Sequence, residues 1–397
     1  MSETNGHTLG DVASFIRGIT FTPDDVTLPF EKGTAVCMRT KNVQADLDED
    51  DLIAVPKSFV RRTEQYLTEG DMLVSSANSW NLVGKCSWVP KLDYEATAGG
   101  FISILRADRK QVDPRYLYHW FAAPRTQHEV RLCGRQTTNI SNLNYERCLN
   151  LPIPLPKLEE QKRIAAILDK ADAIRRKRQE RLAVYVDLLE AAYLERFGFP
   201  LATEGRWPMV PLKALAKFKR GKFTPRPRND PRYYGGEYPF IQTGELTNCD
   251  GYLRTWRQTL NKEGTKVSKC FPPGTVCIAL VGATIGETAI LDFESYFPDS
   301  LIGIQPKPKE STPEFIEYTL RFYKPWFRNR APETARANIN VQTLESLTVP
   351  QAPIDLQCRF SETYKQLDKL RTQESEAIKL SDDLFNSLVQ RAFKGEL

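Results

Sequence analysis

Three histidines in 397 residues, His7, His119 and His128, bound the imidazole chemistry this chain could carry. Their spacing suits neither a metal-binding pair nor the base of a nucleophilic triad. No glycine loop ends in the Lys-Ser/Thr pair that cradles a triphosphate: Gly84-Lys85-Cys86 and Gly221-Lys222-Phe223 lack the rest of the pattern. Ala98-Gly99-Gly100 is too short for a dinucleotide fingerprint and reads as a turn. Phe271-Pro272-Pro273 runs into Gly274, where an amino-methylating site would need an aromatic. One set comes nearer to catalysis: Pro298-Asp299, then Gln305-Pro306-Lys307, the order a metal-dependent nuclease would use. That chemistry needs a second carboxylate on the cation, and Gln305 offers only a neutral oxygen. Thr97 to Leu105, the matching stretch of the first half, carries none of these groups. A structural strand is the better reading, and the expectation is a chain with no catalytic residue, metal or cofactor of its own.

Side chains that could read nucleic acid are more abundant. Lys219, Arg220, Lys222, Arg226 and Arg228 surround Phe223, Pro225 and Pro227, a basic loop whose restricted backbone could lie on phosphates at small ordering cost. A solvated basic loop has the same composition. Arg135, Gln136, Thr137 and Asn139 occupy a place that Arg336, Asn338 and Asn340 take in the second half. Arg, Gln and Asn make paired hydrogen bonds to guanine and adenine edges, although polar turns fix their own backbone with the same residues. Asn78 and Trp80 lie in a polar stretch whose indole could stack on a base or pack inward. Arg39, Lys41 and Asn42, with Gln242 and Thr243, sit at the ends of candidate strands and complete the set.

The net charge of +5 permits such binding without requiring it. Eight scattered cysteines contain no Cys-x-x-Cys pair, which argues against zinc or a disulfide framework. Apolar runs such as Val276 to Val281 are strand-length, and Met-Ser-Glu-Thr-Asn lacks the pattern of a signal peptide. A cytoplasmic location is expected.

The elements that must hold these residues come in two copies. Leu9, Ala13, Phe15 and Arg17-Gly18 return as Leu212, Ala216, Phe218 and Arg220-Gly221; Phe21-Thr22-Pro23 returns as Phe223-Thr224-Pro225. Candidate strands are Ala35 to Arg39, Met72 to Ser75 and Phe101 to Leu105, then Phe240 to Thr243, Thr275 to Ala279 and Leu301 to Gln305. A helix should follow Asp113-Pro114 in one copy and Thr312-Pro313 in the other. Proline-punctuated strands, Leu151 to Pro156 and Val349 to Pro353, close each copy. The chain thus divides into 1–155, a helix over 156–198, 199–352, and a second helix over 353–397.

Those helices carry matching apolar stripes. Ile164, Leu168, Ala171, Leu182, Tyr185, Leu189 and Ala192 step by threes and fours, interrupted at Arg175 and Arg178. Phe360, Tyr364, Leu367, Ile378, Phe385 and Leu388 do the same, interrupted at Arg371 and Glu374. Such a seam packs helix on helix, and antiparallel pairing follows because the first must deliver the chain to the second copy. A helix of roughly 35–40 residues is about 55 Å long, enough for two contacts about 34–36 Å apart on duplex DNA. The Arg175-Arg176-Lys177-Arg178 run reads as a solvated or partner-facing surface.

These features resemble the specificity subunits of type I restriction-modification systems. The residues that carry the resemblance are Leu155-Pro156, Leu158-Glu159-Glu160-Gln161, Arg163-Ile164, Leu168-Asp169, Leu194-Glu195-Arg196-Phe197-Gly198 and the ending Leu388 to Leu397. The resemblance implies an α+β chain of two target-recognition domains on two long antiparallel coiled-coil-like helices, a pseudo-twofold internal repeat. Each domain would read one half of a bipartite DNA target. The helices would set the gap and dock two methyltransferase subunits, with restriction subunits in a larger complex. S-adenosylmethionine, ATP and magnesium would belong to those partners. The second helix departs from the pattern at its start, with Leu356-Gln357 for Glu160-Gln161 and Phe360 for Ile164.

Overall fold

The computed structural model describes residues 6–136, 140–202, 205–247, 249, 251–329 and 340–397. The chain forms two compact units, one running to Lys177 and taking in Ile378–Leu397, the other spanning Arg178–Ala377. Each long helix, Leu158–Phe197 and Ile354–Ala392, gives one half to each unit.

The first unit is built on an antiparallel sheet in the order Ala13–Arg17, Ile102–Ala107, Met72–Ser75, Cys86–Trp88. Side chains alternate between faces along a strand, and here both faces are covered. Met72, Val74 and Leu105 join the core under the helix Pro114–Ala122; Leu73, Ile102 and Ile104 face Val36 and Met38 of a second sheet. That explains why these strands read as unbroken apolar runs. The second sheet orders Ile53–Pro56, Thr34–Met38, Ala96–Ala98, its last pair parallel.

The second unit repeats the plan. Its main sheet runs Ala216–Arg220, Leu301–Pro306, Val276–Ala279, Thr288–Leu291, with Tyr252–Leu253 added at the far edge. The registers correspond: Phe15 pairs with Leu105, and Phe218 with Ile304. The opening segment of each copy also meets its closing segment. Leu9 N–H donates to Leu151 O (2.9 Å) around an isolated Thr8–Pro152 bridge, while Met209–Pro211 pairs with Thr348–Pro350 as a two-stranded ladder. Leu151 to Pro156 is therefore not a full strand, since its three prolines cannot donate to a ladder. The strand expected over Phe240 to Thr243 ends at Phe240; the Gln242 N–H donates to the Glu245 carboxylate (3.1 Å), starting a helical turn at Thr243.

Both predicted helix starts are capped. Asp113 Oδ1 accepts from the Arg115 and Tyr116 amides (3.0 and 2.9 Å), and Thr312 Oγ1 from Phe315 N (3.3 Å). The long helices are then fastened to these caps by one glutamine each. Gln161 Oε1 accepts from Asp113 N (2.8 Å), and its Nε2 donates to Gln111 O and Pro156 O. Gln357 Oε1 accepts from Thr312 N (3.2 Å), and its Nε2 donates to Glu310 O and Ala352 O. Both glutamines are fully buried. The altered start of the second helix keeps the one residue that makes this latch, and Phe360 is buried as Ile164 is.

Within each unit the two helices pack antiparallel. In the first, Ile164 and Leu168 share a core with Phe385, Leu388, Val389 and Ala392; in the second, Leu189, Tyr193 and Phe197 meet Phe360 and Tyr364. Burying a large apolar side chain contributes about 1.5–3 kcal/mol, so these rings dominate the join. Ala171, Leu182, Tyr185, Leu367 and Ile378 are half-buried along the seam. The stripe continues through Tyr193 and not Ala192, a step of four from Leu189. The arginine run is no simple solvated face. Buried Asp172 accepts from Arg175 and Arg176, buried Glu374 from Arg178 and Arg181 (3.0 and 3.1 Å), and Arg175 lies over the Phe385 ring. Of the four, Lys177 is exposed. No described helix is long and apolar enough to cross a membrane.

Candidate nucleic-acid interface

In both units the opening strand ends on a glycine jammed against a turn. A Cβ on Gly18 would sit 2.2 Å from Gly99 O, and one on Gly221 2.1 Å from Pro298 O. The closeness permits matching backbone bonds: Gly18 N to Ile102 O (3.1 Å) and Ile19 N to Ala98 O (2.7 Å) in one unit, Gly221 N to Leu301 O (2.9 Å) and Lys222 N to Phe297 O (3.0 Å) in the other. The turn closes in the same way, Ile102 N to Gly99 O and Leu301 N to Pro298 O. Its tip is Gly100-Phe101 in the first copy and Asp299-Ser300 in the second.

At the first tip, the Phe101 carbonyl accepts from Ser76 N (2.9 Å) and Ala77 N (3.3 Å), leaving its ring 65% exposed. Ala77–Asn78 pairs with Ser141–Leu143, which pairs with Gly134–Gln136. Exposed Arg135 and Asn142 are opposed in that ladder. Half-buried Asn78 donates to Ser75 Oγ and accepts from Ser79 N, with half-exposed Trp80 two residues on. Thr137 and Asn139 lie outside the described residues. Arg39 and Lys41 both pair with Asp51, and the hydrogen bond from Lys41 holds that carboxyl below its ordinary range. Asn42 drops out of the candidate set. It is fully buried, its Oδ1 accepting from Arg39 N (2.8 Å) and its Nδ2 donating to Asp48 O and Asp51 O, so it shapes the loop.

At the second tip, Arg220 Nε donates to Asp299 O (2.7 Å) and Arg228 Nη2 to the Asp299 carboxylate (2.6 Å). Arg226 turns back onto Phe223 O and Pro225 O. Lys219 and Lys222 are exposed and form no ion pair among the described residues. The strap holding them is fixed from beneath by buried Phe223 against Tyr234 and Phe240, and by Ser268 Oγ donating to Lys222 O (2.8 Å). Gln242 is exposed and donates to Gln258 (2.5 Å); Thr243 is half-buried in the helical turn. Asn340 caps the helix Val341–Glu345, its Oδ1 accepting from Thr343 N (2.7 Å), which removes that oxygen from base reading. Arg336 and Asn338 lie outside the described residues.

The residues that a nuclease reading would use are otherwise engaged. Asp299 is held by two arginines, and Lys307 Nζ donates to Lys213 O and Ala214 O (both 2.8 Å). Among the described residues no group of three or more His, Cys, Asp or Glu side chains could hold a metal.

A family described as the type I restriction modification DNA specificity domain matches residues 1–183 and again 204–380. This chain belongs to that specificity family. The double match falls on the two copies and on much of the helices. Among relatives, the StySPI specificity subunit of Salmonella potsdam is 23% identical over 97% of this chain and 87% of that protein. The EcoKI specificity subunit of Escherichia coli K12 is 22% identical with the same coverage. The crystal structure of a type I restriction-modification S subunit from M. genitalium covers 99% of this chain and 98% of its own, with a TM-score of 0.61 at 15% identity. A chain from a structure of type I complex assembly and conformational transition covers 97% and 98%, with a TM-score of 0.52 at 18% identity. At these identities the structures show a shared fold.

Sequence reasoning missed Phe101. An apolar residue at the head of a candidate strand reads as core, yet the strand begins at Ile102. Gly99-Gly100 just before it was the available signal: a glycine turn shifts the strand start by one and turns the ring outward.

Proposed function

We propose that this chain is the non-catalytic DNA-binding specificity subunit of a type I restriction-modification complex, reading an asymmetric target in two halves. One observation carries this reading: the two copies hold the same turn with the same backbone bonds but present unrelated side chains there, Gly100-Phe101 against Asp299-Ser300. Equal frames with unequal faces suit two different half-sites. Basic side chains would grip phosphates, and exposed Arg135, Gln242 and their neighbours would reach base edges. The helix pair would set the unread gap.

The same helices would seat two methyltransferase subunits. Exposed apolar residues recur along them at an offset of 196: Ile174 and Leu370, Val184 and Leu380, Leu188 and Leu384, each at least 43% exposed. Exposed apolar side chains that recur in register suit two copies of one partner. S-adenosylmethionine, ATP and magnesium would be bound by the partner subunits, with restriction subunits joining the full complex in the cytoplasm.

The test is methylation mapping of DNA from cells co-expressing this chain and its methyltransferase subunit. Methyladenine confined to one asymmetric split motif, and lost when this chain is omitted, is the expected result. A stable complex whose methylation is absent or indifferent to this chain would favour a protein-only helical scaffold.

A further inference from the structure

The two recognition domains differ in charge far more than in fold. Residues 1–155 hold 17 basic and 19 acidic side chains, net −2, whereas 199–352 hold 21 and 15, net +6, with histidine neutral. The contrast concentrates at the corresponding opening segments. Lys213 to Arg228 contains seven basic residues and no acid; its counterpart from Leu9 to Val26 contains Arg17 with Asp11, Asp24 and Asp25. Where one copy has Phe21-Thr22-Pro23-Asp24, the other has Phe223-Thr224-Pro225-Arg226.

Around the opening segments the cations also differ in availability, whereas elsewhere in the first unit Lys32, Arg61, Lys91 and Arg125 are exposed without an ion pair among the described residues. In the first unit Arg39 and Lys41 are drawn to Asp51, at the end of a run in which Asp46, Asp48, Glu49, Asp50 and Asp51 crowd into six residues. Arg17 lies over the Tyr145 ring. In the second unit Lys217, Lys219 and Lys222 are exposed without an ion pair among the described residues. Lys217 and Lys219 alternate on an edge strand and Lys222 follows on the strap pinned by Gly221, Phe223 and Ser268. A fixed backbone carrying unpaired cations needs little reorganisation to meet a row of phosphates.

From this we propose a division of labour that rests on the DNA-reading function above. Besides reading its own half-site, the second domain is the electrostatic anchor: its phosphate contacts, which carry no sequence information, set the salt dependence of the whole complex. The first domain reads its half-site with little charge and adds little to the phosphate grip. Each phosphate neutralised by a cation contributes about 0.9 to the slope of log affinity against log salt.

The experiment titrates the full chain, assembled with its methyltransferase subunit, onto labelled duplexes carrying the mapped target or a scrambled one. Salt is varied from about 50 to 300 mM, a range over which counterion release dominates. The variant Lys217→Gln/Lys219→Gln/Lys222→Gln should lower the slope by about 2–3 and weaken both duplexes by a similar factor, about 10–100-fold near 0.1 M salt. A matched first-domain variant, Lys41→Gln/Lys85→Gln/Arg135→Gln, should move the slope on scrambled DNA by less than about 1. Melting curves check that both fold. Equal slope changes from the two variants, or none from the second-domain one, overturn the proposal. Should the wild-type complex bind target and scrambled duplex equally, the specificity reading fails; the salt slopes still show where the phosphate grip resides.

Discussion

Gly100-Phe101 and Asp299-Ser300 stand at the same turn of two copies of one fold, and they share no chemistry. The first presents an exposed ring; the second holds Arg220 on the Asp299 carbonyl and Arg228 on its carboxylate. What is common lies beneath: a glycine too close to a carbonyl for any side chain, and three backbone bonds that no tip residue enters. A frame held by main chain leaves the tip free to differ. The same contrast appears at the helices. Arg115 and His119 meet Asp169 in the first unit, while Glu314 meets Lys365 in the second, the ion pair reversed across equivalent positions.

The sharpest challenge to this equivalence is the glutamine latch. Gln161→Leu and Gln357→Leu each leave a buried amide and two carbonyls without a partner. At about 1–3 kcal/mol per orphaned group, each should destabilise its unit by about 4 kcal/mol, seen as lost hydrogen-exchange protection around Gln111–Tyr116 or Glu310–Phe315. A marked inequality between the two would break the correspondence. Gly18→Ala and Gly221→Ala come next. With backbone carbonyls in the way, each should cost about 2–3 kcal/mol in thermal melts, and both should weaken DNA binding by moving the turn.

The reversed ion pairs should respond unequally. Asp169→Ala orphans buried His119 and costs about 1–2 kcal/mol. Glu314→Ala costs more, about 3 kcal/mol, because that carboxylate also accepts from Ser361 (2.8 Å) and Tyr252. Acid adds a second reading of the first pair. Burial pushes the Asp169 carboxyl up, but the His119 hydrogen bond and the Arg115 charge outweigh it and hold it below the ordinary range. Its folded value is lowered, so its stabilisation is complete above the ordinary carboxylate range and fades as pH falls through that lowered value. Asp169→Asn should flatten the acid limb of the first unit's melting curve. The smallest effect expected is on Phe101→Ala, about tenfold on target affinity (about 1.4 kcal/mol) with no change in melting temperature. A wild-type affinity would show that the ring only fills space.

The repeat and the helices were legible because periodicity survives substitution: Phe360 for Ile164 keeps an apolar step, and an offset of 196 carries polar breaks along with apolar ones. The caps at Asp113 and Thr312 were legible from residue type and the following proline. Pairing partners were not. Nothing local distinguishes Asn42, whose amide is consumed by Asp48 and Asp51 carbonyls, from exposed Asn142. Arg178 looked solvated because the acid that claims it, Glu374 on the other long helix, becomes its neighbour only on packing, whereas Asp172 lies one helical turn before Arg175 and was legible from spacing.

The edge bridges at Thr8–Pro152 and Met209–Pro211 with Thr348–Pro350 have a further consequence. Each copy enters and leaves its helix support through one seam, so its two chain ends sit side by side. A stretch bounded in this way can be exchanged as a unit if it rebuilds the bridge or short ladder at the join and the helix cap that the latch glutamine holds. One copy could then change while the latch glutamines and the apolar seam, which belong to the long helices, stay as they are.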